Sequence, residues 1–94
     1  MFVVLLRFSG NKARAGEFME GHKEWLKRGF DDGVFLLAGS MRPNLGGAVV
    51  AHGTSLSDLE SRLNADPFVA ERVVAAEILE ITPSKADARL RFLL

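Results

Sequence analysis

The chain has 94 residues, enough for one domain, and its 48% hydrophobic and 26% charged residues are typical of a globular protein rather than a disordered one. Its 12 basic and 12 acidic side chains give a formal net charge of zero, which argues against a nucleic-acid partner because phosphate binding normally shows a basic excess. The absence of cysteine excludes disulfides, thiolate metal sites and thiol catalysis.

The N-terminal half predicts a strand, a helix and a β-hairpin. An apolar run over residues 2–8 predicts a strand that is covered on both faces. Apolar residues recur at helical spacing over residues 12–29, which predicts an amphipathic helix that ends at Gly29. Two further apolar runs, at residues 34–39 and 48–51, predict the two strands of the hairpin.

The C-terminal half predicts two short helices and a fourth strand. Ser55, with Asp58 three residues later, is a capping pattern that predicts the start of one helix. Asp66 followed by Pro67 predicts the start of the other, because Asp is a good N-cap and Pro suits the first helical position. Residues 73–81 then predict a strand, in which two glutamates of opposite orientation indicate an edge or an interface.

The order β-α-β-β-α-β predicts one α+β domain of ferredoxin-like topology over residues 1–94, with both helices on one face of a four-stranded antiparallel sheet. The tail, residues 83–94, alternates arginines with apolar residues. Two interpretations of it stay open: a fifth edge strand, or a segment that contacts a partner subunit.

The other face of the predicted sheet requires a cover. In the first strand Phe2, Val4 and Leu6 point to one face, and Val3 and Leu5 point to the other. A single chain would leave an apolar patch exposed, which monomers rarely do. We therefore predict a homodimer formed through the open sheet face, with a tail folded over that face as the alternative.

Few residues carry a recognisable catalytic or binding motif. Gly46-Gly47 does not have the phosphate-loop pattern and is interpreted as the hairpin turn. His52 has no second ligand at metal-binding spacing, so no metal site is predicted. No apolar stretch approaches the ~18 residues of a membrane span. The apolar N-terminus is too short for a signal peptide, so we expect a cytoplasmic protein without a membrane partner.

His22 is the most informative side chain, because it lies in the middle of the apolar face of the predicted first helix. It is either a buried histidine with one hydrogen bond or a general acid or base. Asp66 is the candidate partner. Its role as N-cap leaves acceptor positions for a histidine, whose tautomer it would then fix.

Further candidate binding residues surround this pair in the predicted fold. Ser40 and Arg42 follow the second strand: the hydroxyl could bond a substrate or His22, and the guanidinium could hold a carboxylate or phenolate. A turn hydroxyl and a solvated arginine are the alternatives. The walls of a pocket between helix and sheet are predicted to include Trp25, Met41 and Phe68, with a place in the core as the alternative for Trp25.

Three segments, in this order and spacing, resemble the YCII-related (YciI-like) family, and the similarity covers most of residues 1–82: His22-Lys23-Glu24-Trp25-Leu26, Leu37-Ala38-Gly39-Ser40-Met41 and Asp66-Pro67-Phe68-Val69. The resemblance implies a dimeric α+β barrel, in which two sheets pack face to face, and an active site at His22 and Asp66. Ser40 stands where the family often has proline. One characterised type in the family resembles a dehydrochlorinase of a chlorinated hydroxyquinol, and related barrels include lactone isomerases and cofactor-free monooxygenases.

Residues and resemblance together predict a small homodimeric enzyme without metal or organic cofactor. In it, His22 oriented by Asp66 would transfer a proton in a lyase, isomerase or hydrolase reaction on a small molecule, with aromatic compounds as one candidate class. A ligand-binding or accessory module without catalysis and a purely structural protein are the alternatives. The enzyme requires His22 to line an open cavity within hydrogen-bond reach of Asp66.

Overall fold

Four strands form where the sequence has its apolar runs. The computed structural model describes residues 1–94, and its antiparallel sheet has the order β2-β3-β1-β4, from strands β1 (Phe2–Phe8), β2 (Phe35–Met41), β3 (Gly46–Ala51) and β4 (Val74–Glu80). Helix α1 (Ala15–Asp31) joins β1 to β2, while α2 (Leu56–Asn64) and α3 (Pro67–Ala70) join β3 to β4. The predicted α+β fold with β-α-β-β-α-β order is confirmed, and β4 is the edge strand that its glutamates indicate.

Helix α1 does not end where the sequence predicts. It is preceded by a 3₁₀ turn at Lys12–Arg14 and continues past Gly29 to Asp31. The glycine that follows the end of the helix is Gly33, whose φ of +73° favours a residue without a Cβ. Gly29 is instead a packing residue: a Cβ at this position would collide with the ring of Phe35 on β2.

Strand β3 begins two residues earlier than predicted, so Gly46-Gly47 is not the hairpin turn. The turn is formed by residues 42–45, and both glycines pair with β1 and β2. Gly46 has a φ of +130°, and a Cβ there would collide with the backbone oxygen of Leu6 on β1. The close approach of these two strands therefore requires glycine at this position.

The buried core lies between the helices and one face of the sheet. Alternate residues of β1 (Phe2, Val4 and Leu6) point into it and are nearly inaccessible to solvent. The helices complete the core with four residues: Trp25, Leu59, Leu63 and Phe68. Two start signals in the sequence are also confirmed. The Ser55 side chain accepts from the Asp58 amide at the start of α2, and Asp66 caps α3.

The opposite face of the sheet is apolar and uncovered by the helices. Its most exposed leucines are Leu37 on β2 and Leu79 on β4, with 60% and 44% of their surface accessible. The C-terminal tail forms a 3₁₀ helix, Ala88–Leu93, and not a fifth strand. The tail does not bury its own apolar side chains on the sheet, because Leu90, Phe92 and Leu94 stay largely exposed. None of the helices has both the length and the hydropathy that crossing a bilayer requires.

Candidate functional site

The structure brings His22 and Asp66 into direct contact, although they are 44 residues apart in the chain. His22 Nδ1 lies 2.9 Å from Asp66 Oδ1. The Asp66 side chain is fully buried, whereas the His22 side chain keeps 14% of its surface exposed. The carboxylate is thus enclosed in the protein, and the imidazole stands between it and the outside.

The start of α3 fixes the position of Asp66. As the N-cap, its Oδ1 accepts a hydrogen bond from the Phe68 amide at 3.0 Å, and Pro67 occupies the first turn of the helix. The second oxygen, Oδ2, is buried and has no hydrogen-bond partner in the chain. The carboxylate therefore has two hydrogen-bond partners in the chain, namely the Phe68 amide and the His22 imidazole.

The imidazole of His22 is fixed in both tautomer and orientation. When the Asp66 carboxylate is ionised it only accepts hydrogen bonds, and Nδ1 is then the nitrogen that carries the proton and donates it to Asp66. The ring also stacks on Phe68, with centroids 4.1 Å apart and planes 5° apart. Because Nδ1 is engaged, Nε2 is the nitrogen available to a ligand.

A cavity of about 370 Å³ opens beside His22, between α1 and the sheet. Met19 and Leu26 of α1 form part of its wall. Small residues of the sheet leave the space that larger side chains would fill, and six of them line the cavity: Ala38, Gly39, Ser40, Gly46, Gly47 and Ala48. The volume lies within the range of small-molecule sites, roughly 300–1,000 Å³.

Two more of the predicted binding residues line this cavity, namely Phe68 and Ser40. Met41 is not among the lining residues; it follows Ser40 on the strand, and successive strand residues point to opposite faces. Arg42 is not among them either, because it lies exposed in the hairpin turn.

Trp25 contacts His22 but belongs to the core rather than to the cavity wall. Its indole Nε1 donates to the Arg62 backbone oxygen at 2.8 Å, and its ring packs edge-on against Phe35. The ring centroids of Trp25 and His22 are 5.7 Å apart. Trp25 therefore packs next to His22 on the core side of α1, and its hydrogen bond links α1 to α2.

Lys23 lines the cavity and is absent from the residues that sequence reasoning selects. The helical pattern assigns it to the solvent face with the other charged residues of α1. The only sequence signal for Lys23 as a cavity residue is that it directly follows His22 in the chain. No group of three or more histidine, aspartate or glutamate side chains lies close enough together to hold a metal ion.

A ferredoxin-like α+β domain with a histidine–aspartate pair at a cavity is the class that fold and site define. No protein-family profile and no curated protein matches the chain. Among solved structures it is similar to 5-chloro-2-hydroxyhydroquinone dehydrochlorinase from Burkholderia phenoliruptrix AC1100, in complex with 2,5-dihydroxybenzoquinone. The TM-score is 0.68 at 14% identity, and the match covers 86% of this chain and 93% of that one. At this identity the similarity shows that the two chains share a fold.

Proposed function

We propose that the protein is a small enzyme in which His22, oriented by Asp66, moves a proton on a small organic substrate. The observation that carries the proposal is the 2.9 Å contact between His22 and a fully buried carboxylate, at the wall of a cavity. A histidine with a purely structural role would need its single hydrogen bond but no open space beside the ring.

The proposed step begins with a substrate bound against His22. Nε2 takes a proton from a carbon or oxygen of the substrate, and the resulting imidazolium is stabilised by the Asp66 carboxylate. In a lyase reaction the electron pair of the broken bond expels a leaving group as an anion. Nε2 then returns the proton to the product or to water, and the enzyme is restored.

Aromatic compounds are the first substrate class to examine. The cavity wall is mostly apolar and includes the ring of Phe68. The dehydrochlorinase that shares the fold acts on a chlorinated hydroquinone and is recorded with a quinone. A reaction of the lyase type on a hydroxylated aromatic compound is therefore the leading version of the proposal, and it needs no metal or organic cofactor.

A homodimer through the open sheet face, and membership of the YCII-related family, form part of the same proposal. The exposed leucines of that face and the order of the three family-like segments support them. The tail is then free to contact the partner subunit.

The test uses 5-chloro-2-hydroxyhydroquinone, together with a panel of small phenols and aromatic acids. Turnover is followed by chloride release or by product absorbance. For any substrate found, His22→Gln is expected to lower kcat by about 10²-fold or more, because proton transfer is lost. Asp66→Asn is expected to lower kcat with less effect on KM, because the tautomer of His22 is no longer fixed.

The matched control is His52→Gln, which removes the other histidine of the chain and should leave kcat unchanged. Glutamine at position 22 keeps an N–H donor for Asp66, so we expect the variant to fold, and circular dichroism checks the fold before kcat is compared. Turnover that survives His22→Gln contradicts the proposal. A molecule that binds beside His22 and is never converted would indicate a ligand-binding module.

A further inference from the structure

We infer that the cavity beside His22 takes a small ligand with an apolar body and an acidic oxygen, such as an aromatic carboxylate or a phenolate, and that Lys23 binds the anionic oxygen. The inference rests on the proposed function, because it takes this cavity as the substrate site. It adds the charge class of the ligand and a binding residue that the helical pattern assigns to solvent.

The charges of the cavity wall carry the inference. Of its 15 lining residues, nine are hydrophobic, and the only two that can carry a charge are His22 and Lys23. Asp66 lies behind His22 and is not part of the wall. A ligand in the cavity therefore meets a permanent cation and an imidazole, but no carboxylate that would repel an anion.

Lys23 has no partner within the chain. The ion pairs of this protein use five other cations: Arg7, Arg14, Lys27, Arg62 and Arg89. One turn further along α1, Lys27 is hydrogen-bonded to Asp31 at 2.7 Å, and this contact raises the pKa of the Lys27 ammonium. The two lysines thus differ: Lys27 is paired with a carboxylate of its own helix, and Lys23 is open to an external anion.

Helix geometry gives the two polar groups different places in the site. Adjacent residues on a helix are about 100° apart, so when His22 faces the interior, Lys23 reaches the rim. A ligand that inserts its apolar body past Met19 and Leu26 keeps its charged end at that rim. The anionic oxygen then binds the ammonium without being buried unpaired, which would be costly.

Benzoate and benzamide form the test pair, because they have nearly the same shape and differ in charge. Titrations are followed through the ring C–H signals of His22 in NMR spectra of the full chain. We expect benzoate to bind about tenfold more tightly than benzamide, as a charge-assisted hydrogen bond predicts. Lys23→Met should bring benzoate to the affinity of benzamide, and Lys23→Arg should retain most of the preference. Added salt should reduce the preference of the wild-type protein for benzoate over benzamide.

Lys27→Met is the matched control, since it removes a lysine from the same helix that does not line the cavity. It should leave the preference for benzoate unchanged. The inference is overturned if wild-type protein binds the two molecules equally, if benzoate does not bind at millimolar concentration, or if Lys23→Met retains the preference.

These outcomes are separate from the test of catalysis. Turnover that depends on His22, together with equal binding of benzoate and benzamide, would leave the enzyme proposal intact and remove the role of Lys23. A preference for benzoate that depends on Lys23, with turnover that survives His22→Gln, would keep the role of Lys23 and contradict the proposed role of His22 in catalysis.

Discussion

Asp66 combines two roles in one side chain: its neighbour Pro67 predicts the helix cap, whereas its contact with His22, 44 residues away, depends on the fold. Asp before Pro indicates an N-cap, and a carboxylate has acceptor positions beyond the one that a cap uses. The structure uses Oδ1 for the Phe68 amide and for His22 together. Because the same oxygen serves the helix and the histidine, the start of α3 and the candidate site are assembled by the same atoms.

The residue-scale prediction concerns the buried carboxylate. His22→Leu should lower the free energy of unfolding by about 3 kcal/mol, because it leaves Asp66 enclosed with one backbone amide as its only partner. Urea denaturation near neutral pH measures the change. His52→Leu, at a half-buried histidine outside the pair, should cost less than about 1 kcal/mol. Equal losses in the two variants would mean that the pair has no special energetic role.

Lys23 and the glycines and alanines of the cavity wall could not be predicted from periodicity. A helical pattern sorts residues into an apolar and a polar face, so it places every charged residue of α1 in solvent. A cavity exists where side chains are missing, and its position depends on which small residues of β2 and β3 lie opposite α1. That pairing is a long-range property of the fold. Trp25 illustrates the converse: periodicity places it on the apolar face of α1, but it cannot decide between the core, where the residue lies, and the cavity wall.

At the scale of elements, the strands and helices follow from local patterns, and the errors lie at their ends. Gly29 resembles a helix stop because glycine is common after the last turn. Its actual role depends on Phe35, a residue of another element, whose ring occupies the space of the missing Cβ. A local signal cannot distinguish a glycine that ends a helix from one that allows a strand to approach it.

Alanine substitutions at two glycines of α1 should therefore change the free energy of unfolding in opposite directions. Gly29→Ala should lower the free energy of unfolding by about 1–3 kcal/mol, because the new methyl group forces Phe35 from its place. Gly16→Ala, where the new methyl group meets open space, should raise it by up to about 1 kcal/mol through helix propensity. Chemical denaturation of both variants makes the comparison. Stabilisation by both would show that Gly29 does not pack against Phe35 in solution.

At the scale of the whole molecule, the sheet has two apolar faces, and the helices cover only one of them. A chain of 94 residues supplies helices for one face of the sheet, and the order of its elements was sufficient to predict this topology. The opposite face keeps exposed leucines on both edge strands, and the tail leaves its own apolar residues exposed as well. These surfaces explain why we propose a second copy of the chain as the cover.

The corresponding prediction is a change in molecular mass. Wild-type protein at micromolar concentration should have twice the 10.3 kDa of one chain in light scattering. Leu37→Glu should give monomers, because it places a charge within the apolar sheet face that forms the proposed interface. Leu56→Glu is the control: this leucine, 43% exposed, begins α2 on the other side of the sheet. A monomeric wild type would contradict the dimer, and so would a dimer that tolerates Leu37→Glu.

The small residues on the sheet side of the cavity also bear on how such a protein can change over evolution. Ser40 and Gly47 shape the space beside His22, yet neither belongs to the buried cluster between the helices and the sheet, whereas Ala38 packs against that cluster. Replacing Ser40 by a larger or more polar residue would therefore reshape the cavity at little cost to stability. In the proposed enzyme, single substitutions at such positions would change which ligands fit the cavity while the histidine–aspartate pair stays in place.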